Sequence, residues 1–271
     1  LELEGRIEGG AWDVVVVDGP VLAACIDLMA ALDAAAHWLD RLFAPRQPTV
    51  FEPFLRALTA YASNGEDVYE SGRDLLQRLA RLRDLLTDAE VSSLRLVLPA
   101  DPSAAAEAQQ ALAALALFAY PVDAAVVSRL LPAEVTDPFF AGAHSRQDEA
   151  RRFLAESLAP LPLLSAQLVP APGAGLEALR GLAAAVYGER DPAAVLYRGP
   201  AHVFAQQDGR QVLSLAVPFA RREDLSLEDT DDGLVVRLGG RRRVIPLPRQ
   251  AEPLAARSSS FDGQTLKVVF G

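Results

Sequence analysis

Between residues 94 and 187 the chain alternates strand-like and helix-like patterns, and this alternation limits the fold more than any other feature. Leu94-Arg95-Leu96-Val97-Leu98 is an apolar run of strand length. Residues 102–120 are rich in alanine and leucine over a helical length, with Pro102 near the start. Residues 123–127 predict a strand, 146–157 a helix, 162–168 a weaker strand and 175–187 a helix. Parallel strands need a crossover between them, and helices are the usual crossover, so this order predicts a parallel α/β sheet.

Upstream, Trp12-Asp13-Val14-Val15-Val16-Val17-Asp18 is a β-branched run that ends in an acid. It predicts one more strand, buried on both faces as in a parallel sheet. Gly19-Pro20 ends it, and residues 21–43 read as helix. Pro45, Pro48 and Pro53 mark a loop. Residues 71–86 are the clearest amphipathic helix: Leu75, Leu76, Leu79, Leu82, Leu85 and Leu86 share a face with arginines opposite. Ser71 with Asp74 resembles a capping box. The two strands flanking this region stand roughly 70 residues apart, far beyond an ordinary crossover, which predicts a helical subdomain over about 21–90.

The pattern changes near Asp191-Pro192. Alternating runs at 212–217, 234–238, 244–247 and 266–270 are separated by Asp208-Gly209, Asp232-Gly233, Gly239-Gly240 and Asp262-Gly263. Short alternating strands between such turns predict a small antiparallel β-sandwich. Two domains are expected, 1–190 and 197–271.

Composition narrows the function classes. Over 271 residues the hydrophobic fraction is 51% and the formal net charge is −10. A real core is affordable, and neither a chain-wide nucleic-acid footprint nor docking to anionic lipid fits that charge. One cysteine, Cys25, excludes an intramolecular disulfide and a thiolate metal cluster within one chain. His37, His144 and His202 show no ligand spacing, so no metal site is expected. The acidic N-terminus lacks a signal-peptide pattern, and no apolar run reaches membrane-spanning length. A cytoplasmic compartment is expected. The first residue is Leu rather than Met, and the expectation is of a longer reading frame.

Several segments, in order, resemble the arsenite-pump ATPase (ArsA) family, which includes ATPases that deliver tail-anchored membrane proteins. Residues 12–20 look like that family's buried strand and switch II. Residues 94–99 and 103–117 are similar to its next strand and helix. Ala124-Ala125-Val126-Val127-Ser128-Arg129-Leu130-Leu131-Pro132 resembles the strand that approaches adenine. Gln147 and its helix, then 161–172 and 175–188, look like the closing strand, adenine loop and last helix. Residues 213–219, 233–248 and 262–270 resemble the small-heat-shock-protein-like (HSP20-like, α-crystallin-like) sandwich of some members.

The resemblance implies an incomplete P-loop NTPase-type sheet with a helical insertion, and ATP with magnesium as cofactors. It implies coupling of ATP to anion export or membrane-protein delivery. A homodimer, or a heterodimer with an ArsA-type ATPase, is implied as assembly, with a pump or a membrane-protein client as partner. It makes Asp18 a switch II-type catalytic aspartate, whose everyday alternative is an acid that ends a strand and begins a turn. It puts Ser128, Pro170, Ala171 and Pro172 on the adenine side, where a rigid loop is the alternative. Leu75, Leu79, Leu82 and Leu86 would line a client groove, or simply pack within the helical subdomain.

Three departures stand out. The family's switch II reads D-x-A-P-T-G, whereas this chain has Asp18-Gly19-Pro20-Val21-Leu22. Apolar residues there favour a fixed, packed turn over a phosphate sensor. Ser128 stands where the family has asparagine, and serine reaches less far. The single lysine, Lys267, lies in a strand-like tail and follows no glycine-rich loop. The sequence therefore admits two functions: an ArsA-type ATPase, or a pseudo-ATPase that dimerises with an intact paralogue or docks a hydrophobic client.

Overall fold

The structure is a computed structural model that describes residues 2–43, 65–168, 175–200, 202–230, 233–247 and 256–271. They divide into two compact units: Leu1–Ser92, Glu223–Arg257 and Phe270–Gly271 form one, Ser93–Arg222 and Ser258–Val269 the other.

The second unit holds the parallel sheet. Strands β1 (Leu94–Pro99), β2 (Val122–Leu130) and β3 (Leu163–Gln167) lie in the order β1-β2-β3. Both pairings are parallel. The central strand carries the longest apolar run, and Asp123 to Val127 are all buried, as a strand covered on both faces requires. Leu96 and Leu98 pair with Ala125 and Val127 in register, and all four are buried. The helix between β1 and β2 (residues 104–117) packs against β1. Its alanines at 104, 105, 108 and 111 are buried, small enough to let the backbone approach the sheet. It ends with Ala119 in the left-handed region (φ 65°). There the Tyr120 and Ala119 N–H groups donate to the Leu115 and Ala116 carbonyls, a Schellman stop. Residues 141–157 form the helix between β2 and β3, and 176–187 the helix after β3. Val186 and Tyr187 of that last helix pack over Ala124, Val126 and Leu164.

The same unit contains most of a second sheet, β4 (Val203–Gln207), β5 (Arg210–Ala216), β9 (Ala256–Phe261) and β10 (Thr265–Phe270), in the order β4-β5-β10-β9. The antiparallel β4–β5 hairpin turns at Asp208-Gly209, both with positive φ (49° and 75°), as a two-residue hairpin turn demands. Along β10, Leu266, Val268 and Phe270 are buried while Lys267 points outward.

The first unit combines helices α1 (Glu2–Glu8), α2 (Leu22–Phe43) and α3 (Gly65–Thr87) with a three-stranded antiparallel sheet, β6 (Leu225–Thr230), β7 (Gly233–Leu238) and β8 (Arg241–Ile245). Helices α2 and α3 pack along each other. Ile26, Met29, Asp33 and Ala36 are buried along α2 at helical spacing. Asp33 faces Arg83 (3.6 Å) and Arg243 (3.4 Å), and Asp27 pairs with Arg241 at 2.7 Å. Glu4 of α1 is buried and holds Arg78 (2.8 Å) and Arg81 (3.0 Å) of α3. Burial pushes its carboxyl up, but hydrogen bonds from both guanidiniums outweigh that and leave it below the ordinary glutamate range.

Ser71 and Asp74 lie inside α3 rather than at its start, so they form no capping box, and a second expectation fails upstream. Residues 11–21 contain no strand, and no described segment pairs with them. Trp12 is 69% exposed, Val16 89% and Val21 78%. Four valines favour a pleated backbone, but a strand exists only through a neighbouring ladder. The turn at 19–22 is correspondingly not a packed one.

Candidate functional site

In an open parallel sheet, ligands sit outside the C-terminal ends of the strands. That edge is formed here by Pro99, by Ser128 to Leu130 and by Gln167. Beyond β1, Asp101 accepts from the Ser103 N–H at 2.8 Å, just before the helix that starts at Ala104. The Ser103 hydroxyl and N–H hold the Asp101 carboxyl below its ordinary range.

At the end of β2 the Ser128 hydroxyl, half-buried, donates to the Leu98 carbonyl across the sheet at 3.3 Å. Arg129 follows in the left-handed region at φ 61°, and the β2–β3 register shifts between Val127 and Leu130. The Gln147 side chain bridges the two sides of this kink. Its Oε1 accepts from the Leu131 N–H at 2.8 Å, and its Nε2 donates to the Arg129 carbonyl at 3.3 Å. The Leu168 N–H donates to the Leu130 carbonyl at 2.7 Å.

Opposite this edge, near the N-terminal ends of β1 and β2, is the strongest polar cluster of the unit. Arg95 makes a two-bonded contact to buried Asp123, at 3.1 and 3.0 Å. It also donates to the Tyr187 hydroxyl and to the carbonyls of Pro192 (2.6 Å) and Ala194 (2.7 Å). Asp123 accepts the Leu196 N–H. The hydrogen bonds to Asp123, foremost, hold the Arg95 guanidinium above its ordinary range. This pair ties the segment after the last helix to the sheet.

The expected site residues have separate fates. Ser128 is at the sheet edge. Pro170, Ala171 and Pro172 lie outside the described residues. Asp18 is exposed on the strandless segment of the first unit, just before α2, whose first turn is closed by Cys25 N–H to the Val21 carbonyl. Cys25 is half-buried, and burial pushes its thiol up, which lowers its thiolate fraction. Among the leucines, Leu82 is 9% exposed and Leu75 43%, with Leu79 and Leu86 half-buried. Among the described residues no group of three or more His, Cys, Asp or Glu is arranged to hold a metal, and no helix is long and apolar enough to cross a membrane.

Sequence reasoning missed Arg129 and the bridging role of Gln147. The available signal was a Ser-Arg pair interrupting the apolar run of β2 just before Pro132. At this strand end the exposed Arg129 and the half-buried Ser128 are the side chains that a bound ring could meet.

Residues 208–270 match the HSP20-like domain found in ArsA. A protein of Chlorobaculum tepidum called "Putative arsenical pump-driving ATPase" is 26% identical over 100% of this chain and 68% of its own length. A protein of the same name from Prosthecochloris vibrioformis is 26% identical over 96% of the chain and 66% of its length. "Putative arsenical pump-driving ATPase 1" of Aquifex aeolicus is 24% identical over 96% and 67%. The chain thus spans about two thirds of the length of these relatives. Residues 1–188 match the anion-transporting ATPase family, and the chain belongs to that family.

Proposed function

We propose that this chain supplies the base side of a nucleotide site in an anion-transporting ATPase, with ATP binding coupled to export of an anion such as arsenite. The single observation that carries the reading is the kinked strand end at Ser128 to Leu131, braced by Gln147 at the ligand-binding edge of a parallel sheet. Family membership and the names of the relatives support it. In this reading Ser128 lies on the adenine side, and residues 1–190 and 197–271 act as the ATPase-type and HSP20-like domains. ATP with magnesium is the cofactor pair, and magnesium supplies charge neutralisation at the phosphates. Asp18 keeps, on the resemblance alone, the role of a switch II-type acid.

These 271 residues alone are not expected to hydrolyse ATP. Phosphoryl transfer depends on a positioned lysine and a glycine-rich loop, and the one lysine, Lys267, faces outward on β10. Titration of the purified chain with a fluorescent ATP analogue and magnesium, alongside a phosphate-release assay, tests both parts. Micromolar binding without turnover is the expected result. Absence of binding sinks the nucleotide reading, and sustained turnover sinks the claim of incompetence.

A second reading, a non-hydrolysing partner that dimerises with an intact ATPase or docks a hydrophobic client, is favoured by the exposed Trp12, Val14, Val16, Val17 and Val21. It predicts capture of an ATPase paralogue or a membrane helix without nucleotide.

A further inference from the structure

Four non-glycine residues among those described have positive φ: Ala119, Arg129, Asp208 and Phe219. Three of them have a local reason. Ala119 terminates a helix, Asp208 opens a two-residue hairpin, and Phe219 lies in the turn closed by Ala220 N–H to the Val217 carbonyl. Arg129 alone lies inside a strand, where no turn calls for a left-handed residue. An L-residue there is strained, and bulges and strained residues gather at ligand sites.

The surroundings enforce the strain. Gln147 clamps the Leu131 N–H and the Arg129 carbonyl, and the Leu168 N–H takes the Leu130 carbonyl. Of the backbone N–H groups at this kink, that of Leu131 is thereby engaged, and the two carbonyls are acceptors that no anion would use. What remains outward is the exposed Arg129 guanidinium, with no side-chain partner among the described residues. Phosphates are typically gathered by clusters of free N–H groups. A lone planar cation on a rigid strand end instead suits the face of a flat ring.

We propose that Arg129 is a nucleobase-binding residue whose guanidinium stacks on the base beyond the C-terminal end of β2, and that Gln147 is the residue that positions it. This rests on the nucleotide reading above.

The test displaces a ribose-labelled fluorescent adenine nucleotide from the full chain with adenosine or with inorganic tripolyphosphate. Arg129→Gly removes the guanidinium but suits the left-handed backbone, so the variant folds with an unchanged or higher Tm. It is expected to bind adenosine about tenfold more weakly and tripolyphosphate no differently. Gln147→Ala weakens adenosine in the parent background but adds nothing in Arg129→Gly, a non-additivity that general structural damage does not produce. Unchanged adenosine affinity in Arg129→Gly overturns the base contact while leaving the nucleotide reading intact. Loss on tripolyphosphate alone makes Arg129 a phosphate ligand and also overturns it. Additive effects of the two substitutions remove Gln147 from the positioning role. If the parent chain displaces nothing, the nucleotide reading and this one fall together.

Discussion

Residues 13–17 (Asp-Val-Val-Val-Val) and 123–127 (Asp-Ala-Ala-Val-Val) are chemically close relatives within one chain. By intrinsic preference the first is the better strand, since valine favours the pleated backbone and alanine does not. Yet 123–127 form the buried centre of β2 while 13–17 form no strand and are largely exposed. The difference lies in partners. β2 has a ladder on each side, and the helix at 176–187 packs over Ala124 and Val126. Its leading acid is neutralised by Arg95 and capped by the Leu196 N–H. Strand identity here is conferred by neighbours, and residue type supplies only permission.

Hydrogen exchange gives the largest expected contrast. Backbone amides of 124–127 should exchange more slowly than those of 14–17 by about three orders of magnitude or more, because only the former are opened by unfolding of the sheet. Comparable rates would mean that 13–17 have found a ladder in solution.

Substitution gives the next contrast. Arg95→Ala leaves Asp123 as a buried charge without its counter-ion and should lower stability by about 3 kcal/mol. Asp13→Ala, on the exposed run, should fall within about 0.5 kcal/mol of the parent. Urea denaturation of both variants reads the pair, and equal midpoints would mean that the buried ion pair is not what distinguishes β2.

The smallest effect concerns α1, which precedes the exposed run. The Glu4 carboxyl has a lower pKa folded than unfolded. Its stabilisation is therefore fully present above the ordinary glutamate range and is lost as pH falls through the folded value. Thermal melts from neutral pH downward should show the parent losing more Tm than Glu4→Gln, by a few degrees at most. Parallel curves would show that α1 is held by something other than Glu4 with Arg78 and Arg81.

The α/β class was legible because β1, β2, β3 and their helices carry apolar runs of distinct length and period. Helices α2 and α3 were legible by the spacing of their leucines and alanines. Strands β4, β6 and β9 were not: Val-Phe-Ala-Gln-Gln, Leu-Ser-Leu-Glu-Asp-Thr and Ala-Arg-Ser-Ser-Ser-Phe carry too many polar side chains to stand out, and their pairing partners define them. The run at 12–18 failed in the opposite sense, with every local sign of a strand and no ladder. At the site, Ser128 was legible by resemblance alone. The kink at Arg129 was not, because a positive φ on an arginine has no sequence signature, and the Gln147 brace spans 18 residues.

Outward-facing Lys267 has a practical consequence. It is the sole side-chain amine in the chain, and its neighbours Leu266 and Val268 fix the strand beneath it. Amine-directed chemistry at high pH therefore has one side-chain target besides the terminal α-amine. A dye placed there would report on β10 from a known position without any engineered cysteine.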